Sequence, residues 1–217
     1  MTFSSSIAVR ELPLFPLPEV VLFPGRPLPL QIFEFRYRIM MNTILESDRR
    51  FGVLMQSPVD GKAATVGCCT EVMQHERLPD DRMRIWTLGQ QRFRVLEYVR
   101  EKPYYVGLVE WIEDSPPVKD LRTLSTDVEQ LLRDVVQLTS KFIGQDIELP
   151  DSIPDLPIEL SYWVASNLHG ASLEQQALLE IQDTATRLER EAEILTSTRN
   201  HLAARTALKD ALQGKLL

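Results

Sequence analysis

Cysteine and histidine are scarce in this chain, and each shortage removes a class of function. Of 217 residues only two are cysteine and three histidine. Cys68 and Cys69 are adjacent in a run that reads as a strand, where successive side chains point to opposite faces. A disulfide framework is therefore excluded, and the expected arrangement is one buried thiol and one facing outward. His75, His169 and His201 are scattered without H-x-x-x-H or C-x-x-C spacing, so no metal is expected. Long hydrophobic runs are missing too. The most apolar region, Leu12 to Glu34, is broken by Pro13, Pro16, Pro18, Glu19, Pro24 and Arg26. That falls well short of the roughly 20 apolar residues that span a bilayer. Met1 to Leu14 lacks the basic start and apolar core of a secretory signal, so a cytoplasmic location is expected.

Catalytic motifs are also absent. There is no G-x-S-x-G elbow, and Gly61-Lys62 continues as Ala63-Ala64-Thr65 without the glycine and hydroxyl that complete a phosphate-binding loop. Asp80-Asp81 is an acidic pair, but it follows Leu78-Pro79 in a turn, where Asp side chains cap backbone N–H groups. The expectation is no catalytic residue, no cofactor and no enzyme.

What is present is an ordinary globular balance, 44% hydrophobic and 25% charged. The net charge of −7 is uneven: residues 1–118 carry 14 Lys and Arg against 15 Asp and Glu, and 119–217 carry 10 against 16. An acidic field disfavours nucleic acid, although Arg82, Arg84, Arg92 and Arg94 alternate along what read as two neighbouring strands and could contact RNA. Short β-branched and aromatic runs fill the first half: Glu11–Phe15, Leu28–Phe33, Phe51–Gln56, Gly67–His75, Arg82–Leu88, Arg92–Val99 and Tyr104–Glu113. Turns are expected at Asp60-Gly61, Leu78-Pro79-Asp80-Asp81 and Gly89-Gln90. One helix interrupts the strands, because Tyr37, Met40, Met41, Ile44 and Leu45 share a face at 3.6-residue spacing, and it is expected to plug one opening of the sheet. The prolines of the opening segment read as sheet edges.

After Asp114-Ser-Pro-Pro117 the period changes to 3.6, which places a domain boundary there: a β domain over 1–117 and an α-helical bundle over 118–217. Leu121, Leu124, Val128, Leu131, Leu132, Val135, Leu138 and Phe142 form one stripe ending at Gly144. A linker with Pro150 and Pro154 leads to a helix with Asp155 as cap and Pro157 in its first turn, placing Leu156, Leu160, Trp163, Val164 and Leu168 inward. Ser172 and Gln175 read as a capping box for a long last helix. Ile181, Leu188, Leu195 and Leu202 recur there at intervals of seven, but Thr184, Glu191, Thr198 and Arg205 occupy the alternate seam, which favours packing in a small bundle. Leu208, Leu212, Leu216 and Leu217 are expected to project and to offer a homodimer contact.

As a whole, Leu12-Pro-Leu-Phe-Pro-Leu-Pro-Glu-Val-Val-Leu-Phe-Pro-Gly25, Leu28-Pro-Leu-Gln-Ile-Phe-Glu34 and Arg36-Tyr-Arg38 closely resemble the opening of the Lon protease N-terminal, substrate-binding domain. Gly67-Cys-Cys-Thr70, Leu78-Pro-Asp-Asp-Arg82, Gly89-Gln-Gln-Arg-Phe-Arg94, Leu160-Ser-Tyr-Trp-Val-Ala165 and Gln176-Ala-Leu-Leu-Glu180 are similar to the family's later motifs in the same order, over about residues 10–200. One departure is Asp81, where the family usually has glycine, so that turn is expected to change type. The resemblance implies an α+β fold, a PUA-like β pseudo-barrel followed by an α-helical bundle that ends in a long helix. It implies engagement of protein substrates, without the ATPase and protease modules of Lon proper. The expected function is a non-catalytic recognition or adaptor module for unfolded or apolar protein segments, with an ATP-dependent protease or chaperone as partner and no membrane; RNA binding is the alternative. Candidate contacts are Leu17, Phe23, Phe33, Met83 and Trp86, since exposed apolar patches mark protein-binding surfaces.

Overall fold

The computed structural model describes residues 9–149 and 153–213, with side chains to Lys209. Pro150 of the expected linker, Leu216, Leu217 and the side chain of Leu212 lie outside the described residues. The architecture is α+β. Strands β1 (Val9–Pro18) and β2 (Pro27–Ile32) precede helix α1 (Phe35–Leu45), and β3 (Arg50–Gln56), β4 (Val66–Arg77), β5 (Met83–Arg100) and β6 (Tyr105–Ile112) follow it. Then come helices α2 (Arg122–Ile143), α3 (Pro157–Ser166), α4 (Ser172–Glu180) and α5 (Thr184–Gln213).

The long strand β5 sets the topology. Its first part, Met83–Arg94, pairs with β4, and its second, Arg92–Arg100, pairs with β6. Because β3 joins β4 to β1 and β1 joins β6, the ladder β5–β4–β3–β1–β6 returns to β5 and closes, with β2 added along Met83–Leu88. Among the described strands only β1 and β3 pair in parallel. Closure removes most of the open edge a sheet would otherwise expose.

Both faces of this sheet carry a core. Phe15, Phe51, Val53, Cys68, Val72, Met83 and Ile85 pack with Tyr37, Met40, Met41 and Ile44 of α1 on one face. Leu12, Leu14, Leu54, Cys69, Phe93 and Val109 pack on the other. This corrects the expectation for the cysteines. Their side chains do point to opposite faces, but both are buried, because β4 is covered on both faces over Val66–Thr70. The helical spacing in 37–45 holds, and α1 covers a core face with those residues.

Two features of the opening segment differ from a simple edge. β1 pairs with β6 over Val9–Leu14 and with β3 over Leu14–Pro18. Each half thus has one partner, and the N–H that Pro13, Pro16 and Pro18 lack can face the unpartnered side. β2 is a true edge. The turn expected at Gly89-Gln90 does not exist: β5 runs through it. Gly89 is there because the 22–26 loop lies on the strand, so that an added Cβ would sit 2.2 Å from the Phe23 carbonyl oxygen. Gly89 also donates to Arg26 O (2.9 Å) and accepts from Gly25 N–H (2.8 Å).

The described residues of Met1–Glu113 and Ala165–Gln182 make one compact unit, and Asp114–Val164 with Asp183–Leu217 make a second. Within the first, Gln176 Nε2 donates to Val66 O (3.1 Å), and Arg92 donates to Leu179 O (2.7 Å) and Ile181 O (2.6 Å), so α4 is tied to the strands. The sequence places α4 with the helices instead. In the second unit α2 ends as expected at Gly144, whose φ of 73° is the left-handed stop glycine takes without steric cost. Leu160, Trp163 and Val164 of α3 are buried, whereas Leu156 is exposed because it precedes the helix. The single long helix expected from Ser172 is two helices, broken where Ile181 is extended. Ser172 caps nothing: it already lies in the first turn of α4, and the Gln175 amide donates to Ala165 O and Ser166 O at the end of α3. The working cap is Asp183, whose Oδ1 accepts from Thr186 N–H and Thr186 Oγ1 at 2.7 Å each.

Candidate binding surface

A row of apolar side chains crosses the outer face of β2, β5 and β4. Trp86 lies opposite Pro29 on one side and Gln74 on the other, and is 44% exposed. The β4–β5 register slips between Val72 and Gln74, so Met73 is an extra residue that bulges outward, 53% exposed. Two pairs further along, Arg84 faces Gln31 and Glu76 and is ion-paired with Glu76 at 3.4 Å; the opposite rim has Arg50 paired with Glu71 at 3.0 Å. An indole and a thioether ringed by neutralised charges is the composition of a protein contact, where aromatic and Met side chains are enriched. Phe33, just beyond β2, is 64% exposed, and Phe35 at the start of α1 is 68% exposed with the Arg38 guanidinium 5.6 Å from its ring centroid.

The five expected contacts therefore divide. Trp86 and Phe33 are exposed. Leu17 is half-buried against the α1-side core. Phe23 and Met83 are buried: Phe23 lies in the loop pressed on Gly89, and Met83 points from β5 into the core with α1. Neither presents its side chain to a partner here. Met73 and Pro29 were missed, although Met73 shares the parity of outward-facing Glu71 along β4, which was the available signal.

The four arginines do not form a free basic row. Arg82 precedes β5, and the other three lie on β5 itself rather than on two strands. Arg92 is buried, its guanidinium held by the Leu179 and Ile181 carbonyls, where a cation offsets the negative end of α4. Arg82, Arg84 and Arg94 are ion-paired with Asp80, Glu76 and Glu110. Asp80 does the work expected of a turn aspartate, accepting from Arg82 N–H at 3.3 Å. Asp81 takes φ 62°, the left-handed conformation a glycine adopts at no steric cost.

Clefts border the barrel, and two are large enough for a ligand. One of ≈480 Å³ is lined by Arg10, Arg50, Cys69, Gln90, Gln91 and Trp111, and its arginines are already paired, Arg10 with Asp48 and Arg50 with Glu71. Burial pushes the Cys69 thiol up to about 12 and raises Cys68 as well, so neither is a thiolate at neutral pH. The other, ≈460 Å³, contains Tyr37, Tyr98 and Tyr105. Among the described residues no group of three or more His, Cys, Asp or Glu could hold a metal ion, and no helix is long and apolar enough to cross a membrane.

Similar proteins agree with this architecture. A Lon N-terminal domain protein from Xanthomonas campestris superposes with a TM-score of 0.62 at 26% identity, covering 83% of this chain and 96% of that one. The N-terminal domain of the Mycobacterium avium complex Lon protease gives a TM-score of 0.62 at 15% identity over 88% of this chain and 98% of its own. In sequence, Lon protease 2 of Myxococcus xanthus is 27% identical over 95% of this chain and 26% of its own length. The Lon protease of Koribacter versatilis is 29% identical over 85% of the chain and 24% of its own length. The chain thus spans about a quarter of these relatives. The family model for the ATP-dependent protease La (LON) substrate-binding domain matches residues 11–197, and the chain belongs to that family.

Proposed function

We propose that this protein is a non-catalytic recognition module that binds unfolded or apolar polypeptide segments through the outer face of β2, β5 and β4, with Trp86 as anchor and Phe33 as a second contact. The observation that carries the reading is the exposed Trp86, set between Pro29 and Gln74 beside the bulged Met73. A large aromatic side chain left in water on a rigid sheet binds apolar partners at little ordering cost. Family membership supports the same reading. The module acts as an adaptor in the cytoplasm, handing protein substrates to an ATP-dependent protease. The ion pairs that neutralise Arg82, Arg84 and Arg94 weigh against RNA as the ligand.

Fluorescence anisotropy with reduced, carboxymethylated lactalbumin tests this. Binding at about 1–50 μM, weakened by Trp86→Ala and insensitive to salt, is the expected result. No binding at tens of micromolar, or a Trp86→Ala variant that binds as the parent does, overturns it.

A further inference from the structure

The neighbours of β5 do not accompany it to its end. β2 pairs as far as Leu88 and β4 as far as Arg94, and Val95 N–H still reaches Thr65 O at 2.8 Å. From Leu96 to Arg100 the strand is paired with β6 alone among the described residues. The closed ladder therefore has a gap, one strand edge five residues long. Such a row of main-chain donors and acceptors is a template for another chain.

Two further features mark that edge as a binding site. The β5–β6 register shifts between Val95 and Glu97 and again between Tyr98 and Arg100, leaving Leu96 and Val99 as extra residues. They are 49% and 44% exposed, and Tyr98 is 43% exposed, so the edge carries apolar side chains where a blunted edge carries lysine or proline. The ≈460 Å³ cleft is lined by Tyr98 and Glu101 from the end of this edge and by Lys62 and Ala63 of the β3–β4 loop, with Tyr37 and Tyr105 beside them. Its size lies within the roughly 300–1,000 Å³ of ligand clefts. The Tyr98 and Tyr105 rings meet edge to face with centroids 5.5 Å apart. The cations at this cleft are already engaged: Arg36 with Glu34 at 2.9 Å and over the Tyr37 ring, Lys62 with Asp60 at 3.8 Å.

We infer that the Leu96–Arg100 edge takes an extended segment of another polypeptide as an added strand, seating one of its apolar or aromatic side chains among Tyr37, Tyr98 and Tyr105. The inference rests on the reading of this module as a polypeptide binder and supplies a mode of binding. An open ladder needs alternating N–H and C=O groups, which a polypeptide main chain offers and a nucleic acid does not. Neutralised cations and three tyrosines favour an apolar side chain over a phosphate. A second copy of the chain docking edge to edge is disfavoured, because it would set one doubly bulged edge against another, whereas a short flexible segment can bend to follow a single bulged edge. The occupant is a short, flexible, apolar stretch, such as an unfolded protein exposes.

The test uses the whole chain and a fluorescein-labelled octapeptide alternating Val or Phe with Ser. Two variants of the peptide carry backbone N-methyl groups on alternate residues, one in each register. In an added strand only one register points its N–H groups at the edge. That register should lose about tenfold or more in affinity, while the other stays within about twofold. The amides of Leu96–Arg100 should exchange more slowly with bound peptide, and Tyr98→Ser should weaken binding by roughly fivefold. Equal binding of both methylated peptides, or unchanged exchange at 96–100, overturns strand addition. Displacement of the peptide by an oligoribonucleotide does so as well. If the octapeptide fails while carboxymethylated lactalbumin still binds through Trp86, strand addition falls and polypeptide recognition stands; if both fail, the broader reading falls with it.

Discussion

The strand unit and the helical unit differ in their ion pairs: those described on the strands are at least partly in solvent, whereas the helical unit buries one. On the strands, apolar groups such as Trp86, Met73, Leu96 and Tyr98 stand in water, while most charges sit in exposed pairs. The helical unit also has exposed pairs, such as Arg190 with Glu193, but it buries one ionic cluster. Arg187 and Asp114 form an ion pair at 2.5 Å with side-chain exposures of 0% and 5%. Ser161, Thr184 and Tyr162 complete the cluster, with the Arg187 guanidinium 4.3 Å from the Tyr162 ring centroid. Exposed apolar groups contribute little to stability and much to binding, whereas a buried ionic cluster bears on the uniqueness and cohesion of the fold. Substitutions in the helical unit should therefore register in unfolding experiments, and those on the outer strand face in binding.

The sharpest way to break this division is Arg187→Met. It leaves the Asp114 carboxylate buried with Thr184 Oγ1 at 2.7 Å and Tyr162 Oη at 3.3 Å, and should cost about 3–5 kcal/mol in urea-induced unfolding. The double variant Arg187→Met with Asp114→Leu should recover a large part of that loss, because it removes both charges together. Arg92→Met is the control inside the strand unit. It strands two helix-terminal carbonyls and should cost about 2–3 kcal/mol, showing up as loss of the α4 attachment in hydrogen exchange. If Arg92→Met leaves stability unchanged, the Leu179 and Ile181 carbonyls do not depend on Arg92 and the attachment of α4 rests on other contacts.

Trp86→Ala belongs to the other half of the comparison. It should weaken binding to an unfolded polypeptide by about 2 kcal/mol while shifting stability by less than about 0.5 kcal/mol. Phe23→Ala and Met83→Ala should do the reverse, since both side chains are core.

Glu191 carries the helical unit's pattern to an extreme. It is fully buried in α5, and neither carboxylate oxygen has a hydrogen-bond partner among the described residues. Burial raises its pKa well above the ordinary carboxyl range, and the neighbouring Arg187 only partly opposes this. A carboxyl whose folded pKa is raised binds its proton more tightly in the native state. Stability from this group is therefore full below the unfolded pKa of about 4.3 and falls as pH rises from there through the folded pKa. Glu191→Gln should remove that fall and stabilise the protein at pH 7 by about 1 kcal/mol, read as a flatter plot of unfolding midpoint against pH.

These residues also show what the sequence could and could not disclose. Period-two runs bounded by turn residues fell on every described strand, though two of the seven runs are halves of β5, and the spacing of Tyr37, Met40, Met41 and Ile44 located α1, because local pattern determines both. Gly89 was misread as a turn because a glycine demanded by a loop crossing over a strand looks, in one dimension, like a glycine demanded by a turn. The expectation that one of the two cysteines faces solvent failed because alternation reports which side a residue points to and not whether that side is covered. Trp86 was recognisable by type and strand parity. The outward side of Met73 was legible from parity, but its bulge and the Leu96–Arg100 edge were not, since a bulge and an absent neighbour are properties of pairing between distant segments.

The smallest expected effect concerns Asp81. Its φ of 62° is the one position in the β4–β5 turn where an L side chain is strained, although Asp tolerates the left-handed region better than most residues. The turn is closed by Leu78 N–H to Arg82 O at 2.8 Å and Asp81 N–H to Leu78 O at 3.1 Å, bonds that glycine would keep. Asp81 lies 3.8 Å from Arg38 with its side chain 76% exposed, an ion pair of little weight. Relief of strain is opposed by the larger conformational freedom glycine gives the unfolded chain. Asp81→Gly should therefore stabilise by no more than about 0.5 kcal/mol and leave polypeptide binding unchanged. A larger change in binding would mean that this turn, next to the exposed Arg84–Glu76 rim, belongs to the recognition face itself and that the apolar patch around Trp86 is drawn too narrowly.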